Sequence, residues 1–394
     1  MIDVLTNGFL TNPIPLNLNL NYCSHNCAYC FANLNSPKRK ADLSSILSSL
    51  RNYKTRNDLV SYYLREKYHV IISNNIDPFS RSNYSLFESI GNFFLQEEIP
   101  MQISTRGGNG WKEFSAKMNK SLWYVSVPYD DESLRQRLEP NAPTLSDRFE
   151  MVKDLVKKHN VIIALNPLNE QWTPEPIEII KKFQSIGVTN FWINAIHLSA
   201  KQQTNLTENQ KELIGKDLLN RLKSGKEYAY TDEYIDLLIE IKEYCKSENL
   251  VLHGLEDGFK NNTLDVYKEC YPKLLPTIQD FYNSLSVEKE ITFNDFYNFF
   301  KTLIPDIETN ISKFIFNKSV IDDKSSYKKT KLSNLLHYYW QIKGVELGMA
   351  KYTGCFSWVK KDYGNKVDFK YDENHNKILK YHPQKENWND YIIE

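Results

Sequence analysis

Apolar and polar residues alternate along Pro15–Tyr22 (PLNLNLNY), the period of a strand with one buried face. A helical spacing follows through Leu43, Ile46, Leu47, Leu50, Leu59 and Leu64, predicting helix over Ala41–Tyr68 in two pieces. His69–Ser73 is a short apolar strand, closed by the polar turn Asn74–Pro78. Leu86, Ile90, Phe93 and Phe94 then share one face of a helix over Tyr84–Glu97. The alternation repeats: strand Met101–Thr105, helix Trp111–Met118, strand Leu122–Val127, a helix capped by Thr144 and running to Lys158, strand Val161–Leu165, helix Pro176–Ile186, strand Phe191–Ile196.

Six strands alternating with helices predict parallel βαβ units joined by right-handed crossovers. The later strands are apolar almost throughout, as strands covered on both faces are. The first strand runs into a cysteine loop, where a dinucleotide-binding sheet would carry a glycine-rich turn. The expected fold class is therefore α/β, a partial (β/α)6 TIM-like barrel, with functional residues at the C-terminal strand ends. Beyond about Leu198 the pattern changes. Thr207 and Gln210 form a capping box for a helix to Leu222, Tyr234–Glu248 and Leu332–Met349 read as helices, and Leu250–His253 reads as a short strand. Lys366–Tyr371 and Lys377–Tyr381 flank the turn Asp372–Asn376 as a hairpin. The expected division is a barrel over residues 1–200, a mainly helical lid or wall over 201–350 and a hairpin-bearing C-terminal segment over 351–394.

Charge changes the picture in one respect. The 394 residues carry 49 basic and 49 acidic side chains. Neutralising several phosphates takes a basic surface, so this balance argues against a nucleic-acid grip. No apolar run is long enough to span a bilayer, and Met1–Leu10 lacks a basic stretch ahead of an apolar one. A cytoplasmic monomer without a membrane partner is the expectation. In a reducing compartment, clustered cysteines point to metal or catalysis rather than disulfides.

The cluster is Tyr22–Phe31, YCSHNCAYCF, in which Cys23, Cys27 and Cys30 form CxxxCxxC. Three thiolates on one loop can bind three irons of a [4Fe–4S] cubane, which wants four ligands, and so leave one iron open. The competing reading is zinc, with His25 as fourth ligand. Cys245, Cys270 and Cys355 show no CxxC spacing.

This triplet, with Tyr29 before its last cysteine and a first β-strand ahead of it, resembles the radical S-adenosylmethionine (SAM) superfamily. The resemblance implies a [4Fe–4S] cluster on Cys23, Cys27 and Cys30 and SAM on the open iron. It further implies reductive cleavage to a 5′-deoxyadenosyl radical, fed by a low-potential donor such as flavodoxin or ferredoxin. Tyr29 would then lie near the adenine, with Asn74, Asp77, Ser104, Thr105, Ser126, Asn166 and Asn194 meeting SAM at the strand ends. Ile76-Asp77-Pro78-Phe79, Leu138-Glu139-Pro140, Pro143-Thr144, Arg148 and Asn166-Pro167-Leu168 are similar to the spore photoproduct lyase-like branch. That branch implies a lyase, with Cys355 as a hydrogen-atom donor; Glu139, beside Pro140 in a loop at the barrel mouth and without an obvious packing duty, is a candidate catalytic group.

Two substrates fit. One is a small, flat, nucleobase-like molecule; here the chain resembles the queuine lyases, which free a 7-deazaguanine base from queuine. Glu139, Asp232, His253, Glu256 and Asp257 are the expected substrate-binding groups. The alternative is photoproduct repair on DNA, which the charge balance disfavours.

Overall fold

The computed structural model describes residues 2–4, 16–18, 20, 22–30, 32–34, 42–56, 59–72, 76–196, 198–223, 232–253, 263–271, 273–276, 280–281, 284–285, 287–303, 336–337, 340 and 367–382. Its main sheet has eight strands in chain order: β1 (Ile2–Val4), β2 (Leu16–Leu18), β3 (Val70–Ile72), β4 (Met101–Thr105), β5 (Leu122–Ser126), β6 (Asn160–Leu168), β7 (Asn190–Ala195) and β8 (Val251–His253). β2 through β8 are parallel, and β1 pairs antiparallel with β2 at one edge. Strand order that never reverses winds every crossover the same way, which is the winding of a β/α barrel rather than a doubly wound sheet. The fold is α/β, a partial barrel with its strand C-termini at one rim.

The connecting helices are α1 (Leu43–Arg51), α2 (Leu59–Arg65), α3 (Tyr84–Gln96), α4 (Trp111–Lys117), α5 (Glu132–Leu138), α6 (Leu145–Leu155) and α7 (Pro176–Gln184). Successive strand residues point to opposite faces, and here each face finds its own apolar partner. Val70, Ile103, Trp123, Val125, Ile163 and Phe191 join the core under the helices, against Phe87 and Phe94 of α3 and Phe183 of α7. Leu122 and Ile162 point the other way and pack on Val266 and Tyr271, with Tyr124 and Trp192 beside them. Tyr271 donates to Met101 O and accepts from Leu122 N, both at 3.0 Å, so it seals one end of the lumen. The helix before it, α12 (Thr263–Cys270), thus supplies the inner packing.

Past residue 200 the hairpin gains a third strand and one expected helix becomes two. β8 forms at the strand expected over Leu250–His253 and carries the parallel sheet past residue 200. The hairpin β10 (Val367–Tyr371) and β11 (Lys377–Tyr381) forms, but β11 also pairs with β9 (Lys289–Ile291), which follows no strand pattern long enough to read from sequence. The helix expected from Thr207 to Leu222 is two, α9 (Glu208–Ile214) and α10 (Lys216–Lys223), parted at Gly215 with φ +98°. α8 (Ala200–Thr204), α11 (Asp232–Ser247) and α13 (Phe293–Leu303) complete the elements named here. No helix among the described residues is long and apolar enough to cross a membrane.

Candidate functional site

Cys23, Cys27 and Cys30 open on a cavity of about 140 Å³ at the C-terminal rim of the sheet. Asp77 follows β3, Ser104, Thr105 and Arg106 end β4, Ser126 ends β5, and Asn166 with Pro167 lies at the end of β6; all line it. Parallel strands deliver these residues together because each strand's C-terminus reaches the same rim. Seven of the residues expected at a cofactor or cluster therefore meet in one place, with Ser104 and Tyr29 bringing the set to nine.

The cysteine loop is held from both sides. On one side Ser24 and Ser82 exchange backbone-to-hydroxyl hydrogen bonds of 3.0 and 3.1 Å, and Ser82 Oγ donates to Tyr22 O at 2.7 Å. On the other, Ala28 N donates to Leu138 O at 2.8 Å and Asn141 Nδ2 to Ser24 O at 3.0 Å. Burial is the main force on the thiols. It pushes Cys23 up to about 11, with the Asp77 charge adding to it, and raises Cys27 and Cys30 as well. As free thiols they hold their protons, and a metal that takes them as thiolates must release those protons.

Donor chemistry and spacing can be tested against the implied groups. Among the described residues, no three His, Cys, Asp or Glu side chains stand close enough to hold a single metal ion. A cubane makes a different demand, because each thiolate meets its own iron. His25, the zinc alternative's fourth ligand, turns away from the thiols. Its Nδ1 lies 3.2 Å from Asn141 O and its Nε2 3.2 Å from Asp77 Oδ2. Three soft sulfur donors on one loop fit an iron–sulfur cluster, and the hydroxyls and carboxamide of Ser104, Thr105, Ser126 and Asn166 fit a polar ligand beside it.

Two carboxylates expected at the ligand are instead saturated by protein. Asp77 Oδ1 accepts from Phe79 N (2.9 Å) and Thr105 Oγ1 (2.8 Å), and Oδ2 from Arg106 N (2.5 Å). Burial alone would raise its pKa, but the His25 contact and these donors hold it below the usual value. Asp77 borders the cavity as a structural hub. Glu139 is 0% exposed and does not line the cavity. Its oxygens meet Arg148 Nη2, Tyr29 Oη and, at 2.8 Å, Arg106 Nε. Burial would raise its pKa too; Arg148 and Arg106 outweigh that and hold it at about 2. The substrate-facing and catalytic reading of Glu139 is thus corrected. A carboxylate between two guanidiniums in a buried site is committed to them.

His253 is likewise misplaced by the sequence reading. It is fully buried, Nε2 is 3.0 Å from Asn190 Oδ1, and its ring stacks on Trp192 at 6.4 Å. Burial lowers its pKa to about 3, so it is a neutral core imidazole. Asn194 sits half-buried on β7 without bordering the cavity, and Asp232 opens α11. Asn74, Glu256, Asp257 and Cys355 lie outside the described residues.

Sequence reasoning missed Tyr124 as a site residue. It lines the cavity and accepts a 3.0 Å hydrogen bond from Asn166 Nδ2. The signal was available, since Tyr124 is two residues before Ser126 and shares its face. Arg106 also gains a larger part. Besides Glu139 it reaches Tyr29 Oη at 3.1 Å, and its guanidinium lies 5.8 Å from the Tyr29 ring centroid. Tyr29, packed on Trp172 at 5.5 Å, is thereby fixed in the cavity wall.

No protein-family model matches the chain, and no curated protein matches it. Among solved structures it is similar to SuiB of Streptococcus suis bound to S-adenosylmethionine, at 16% identity and a TM-score of 0.40, over 61% of this chain and 50% of SuiB. It is also similar to a point variant of spore photoproduct lyase, at 13% identity and a TM-score of 0.45, over 60% of this chain and 74% of that one. The chain matches about half the length of SuiB.

Proposed function

We propose that this chain is a radical SAM enzyme, acting as a lyase on a small, flat, nucleobase-like molecule such as queuine. One observation carries the reading: Cys23, Cys27 and Cys30 share a single cavity with polar groups from the ends of β3, β4, β5 and β6. Cys23, Cys27 and Cys30 would hold a [4Fe–4S] cluster, which together with SAM would supply one-electron reductive cleavage and hydrogen-atom abstraction. The protein's own part is to bind, orient and exclude water. Ser104 and Asn166 supply a hydroxyl and a carboxamide for the cofactor's polar groups, Thr105 and Ser126 line the same wall with their hydroxyl protons donated to Asp77 and Asn166 O, and Tyr29 supplies an aromatic wall. Tyr124 offers a ring face to a flat substrate. The equal numbers of acidic and basic residues favour a free small molecule over DNA.

The test is anaerobic reconstitution with iron and sulfide, followed by reductant and SAM. The expected results are broad visible absorbance and 5′-deoxyadenosine release, both lost in Cys27→Ala. One zinc per chain and no visible absorbance would defeat the reading. Calorimetry with queuine and with thymine-dimer DNA separates the substrates. Micromolar DNA binding with a steep salt dependence would replace the small molecule by nucleic acid.

A further inference from the structure

Between Cys23 and Cys27 one side chain reaches both walls that hold the cysteine loop. His25 is 3% exposed. Its Nδ1 meets the carbonyl of Asn141, after α5, and its Nε2 faces Asp77, after β3, each at 3.2 Å. Asn141 N returns a 3.4 Å hydrogen bond to His25 O. Asp77 in turn gathers Phe79 N, Thr105 Oγ1 and Arg106 N. One imidazole therefore links the loop bearing all three thiols to the turns after β3 and α5 and, through Asp77, to the end of β4, where Thr105 and Arg106 line the cavity.

We propose that His25 is a positioning residue, a latch that sets the thiol triplet in register with the strand ends rather than a metal ligand. The cysteine loop's Cys27, Ala28 and Tyr29 are buried in the main core, while Ser24 to Asn26 make no apolar anchor of their own. The loop's conformation draws on outside contacts: backbone bonds hold it at Ser24, His25 and Ala28, and the His25 ring is the side chain within that span that joins the two walls. Without that ring, Cys23 and Cys27, now 6% and 5% exposed, gain freedom while the sheet beneath stays folded. The cofactor arm of this idea rests on the radical SAM reading; the loop arm does not.

Two measurements on His25→Ala and His25→Gln test it. In the metal-free chain, well below its melting transition, alkylation of the loop thiols is expected to quicken about tenfold in His25→Ala, because the latch's contacts no longer oppose local opening. After reconstitution, the reduced protein's electron paramagnetic resonance spectrum should change when SAM is added to the natural chain. It should fail to change in His25→Ala and recover in part in His25→Gln, which keeps a polar reach. Unchanged alkylation and an unchanged SAM response in His25→Ala would overturn the latch. If the natural chain takes up no iron and sulfide, the cofactor reading falls, and the alkylation arm alone decides the latch.

Discussion

Glu139 and Glu288 each stand between two basic side chains, and they teach opposite lessons. Glu139 meets Arg106 and Arg148 with none of its surface exposed. Glu288 meets Lys380 at 2.9 Å and His382 at 3.3 Å with its side chain 54% exposed. At Glu288 water screens the attraction and would solvate any partner left behind, so the contacts are worth little. At Glu139 water is excluded. The carboxylate's value lies in what its loss would strand, the guanidiniums of Arg106, which lines the cavity, and of fully buried Arg148. The rim of the sheet is built from such mutual dependence, and the three-stranded sheet of β9, β10 and β11 is edged with contacts that can each be spared.

The largest effect that could break this contrast is at Glu139 itself. Glu139→Gln is expected to cost about 3–5 kcal/mol in denaturant unfolding, because breaking one side of a buried ion network leaves uncompensated charge. A loss no larger than for a surface site would mean that Arg106 and Arg148 find water or other acceptors. Next is Gly108, which follows β4 with φ +139°. A Cβ there would lie 2.2 Å from Phe79 O, and Asn109 N donates to that same oxygen at 2.9 Å. Gly108→Ala must push the β4 and β3 turns apart and should distort the cavity. Gly215→Ala meets only the tip of Gln171 at 3.4 Å and should cost about 1–3 kcal/mol of backbone strain alone. Melting curves for the pair would show whether the rim is the less forgiving place.

Acid offers a sharper view. Burial lowers His69 and His253 to about 3 and His159 to about 4, from 6.5. The unfolded chain gains these protons near pH 6.5 and the folded chain does not, so stability falls as pH drops from about 6.5 toward 4 and 3. Glu139 contributes stability that is whole above about 4.5 and is lost as pH falls toward about 2. Thermal unfolding followed downward from neutral pH should show an early loss, reduced in His159→Gln, and a later one absent in Glu139→Gln. The smallest effect belongs to Glu288→Gln, which should leave the melting temperature and its salt dependence near those of the natural chain. A clear drop there would erase the comparison.

Much of the rim was legible from residues alone. Thr105, Ser126 and Asn166 could be named because apolar runs fix where each parallel strand stops, and the residue after the run must face the rim. Glu139 was legible as a rim-loop residue and illegible in role. Nothing in the sequence says that Arg106, 33 positions earlier, and Arg148, on the next helix, converge on it. His253 misled for a related reason: a histidine at the end of a short strand looks free until Trp192 and Asn190 are seen to enclose it. β9 was too short to show a period and needed β11 to exist.

The sequence by itself determined the strand–helix alternation, the thiol triplet and the side of the sheet on which chemistry must lie. Those are local matters of periodicity, spacing and chain direction. Only the tertiary structure decided which polar groups face the cavity and which are spent on one another. Saturation of Asp77 and Glu139, the placing of His25 between Asn141 and Asp77 and the arrival of Tyr124 depend on contacts between segments far apart in the chain. A buried group's partners are set by where strands and turns meet in space, which no local pattern encodes.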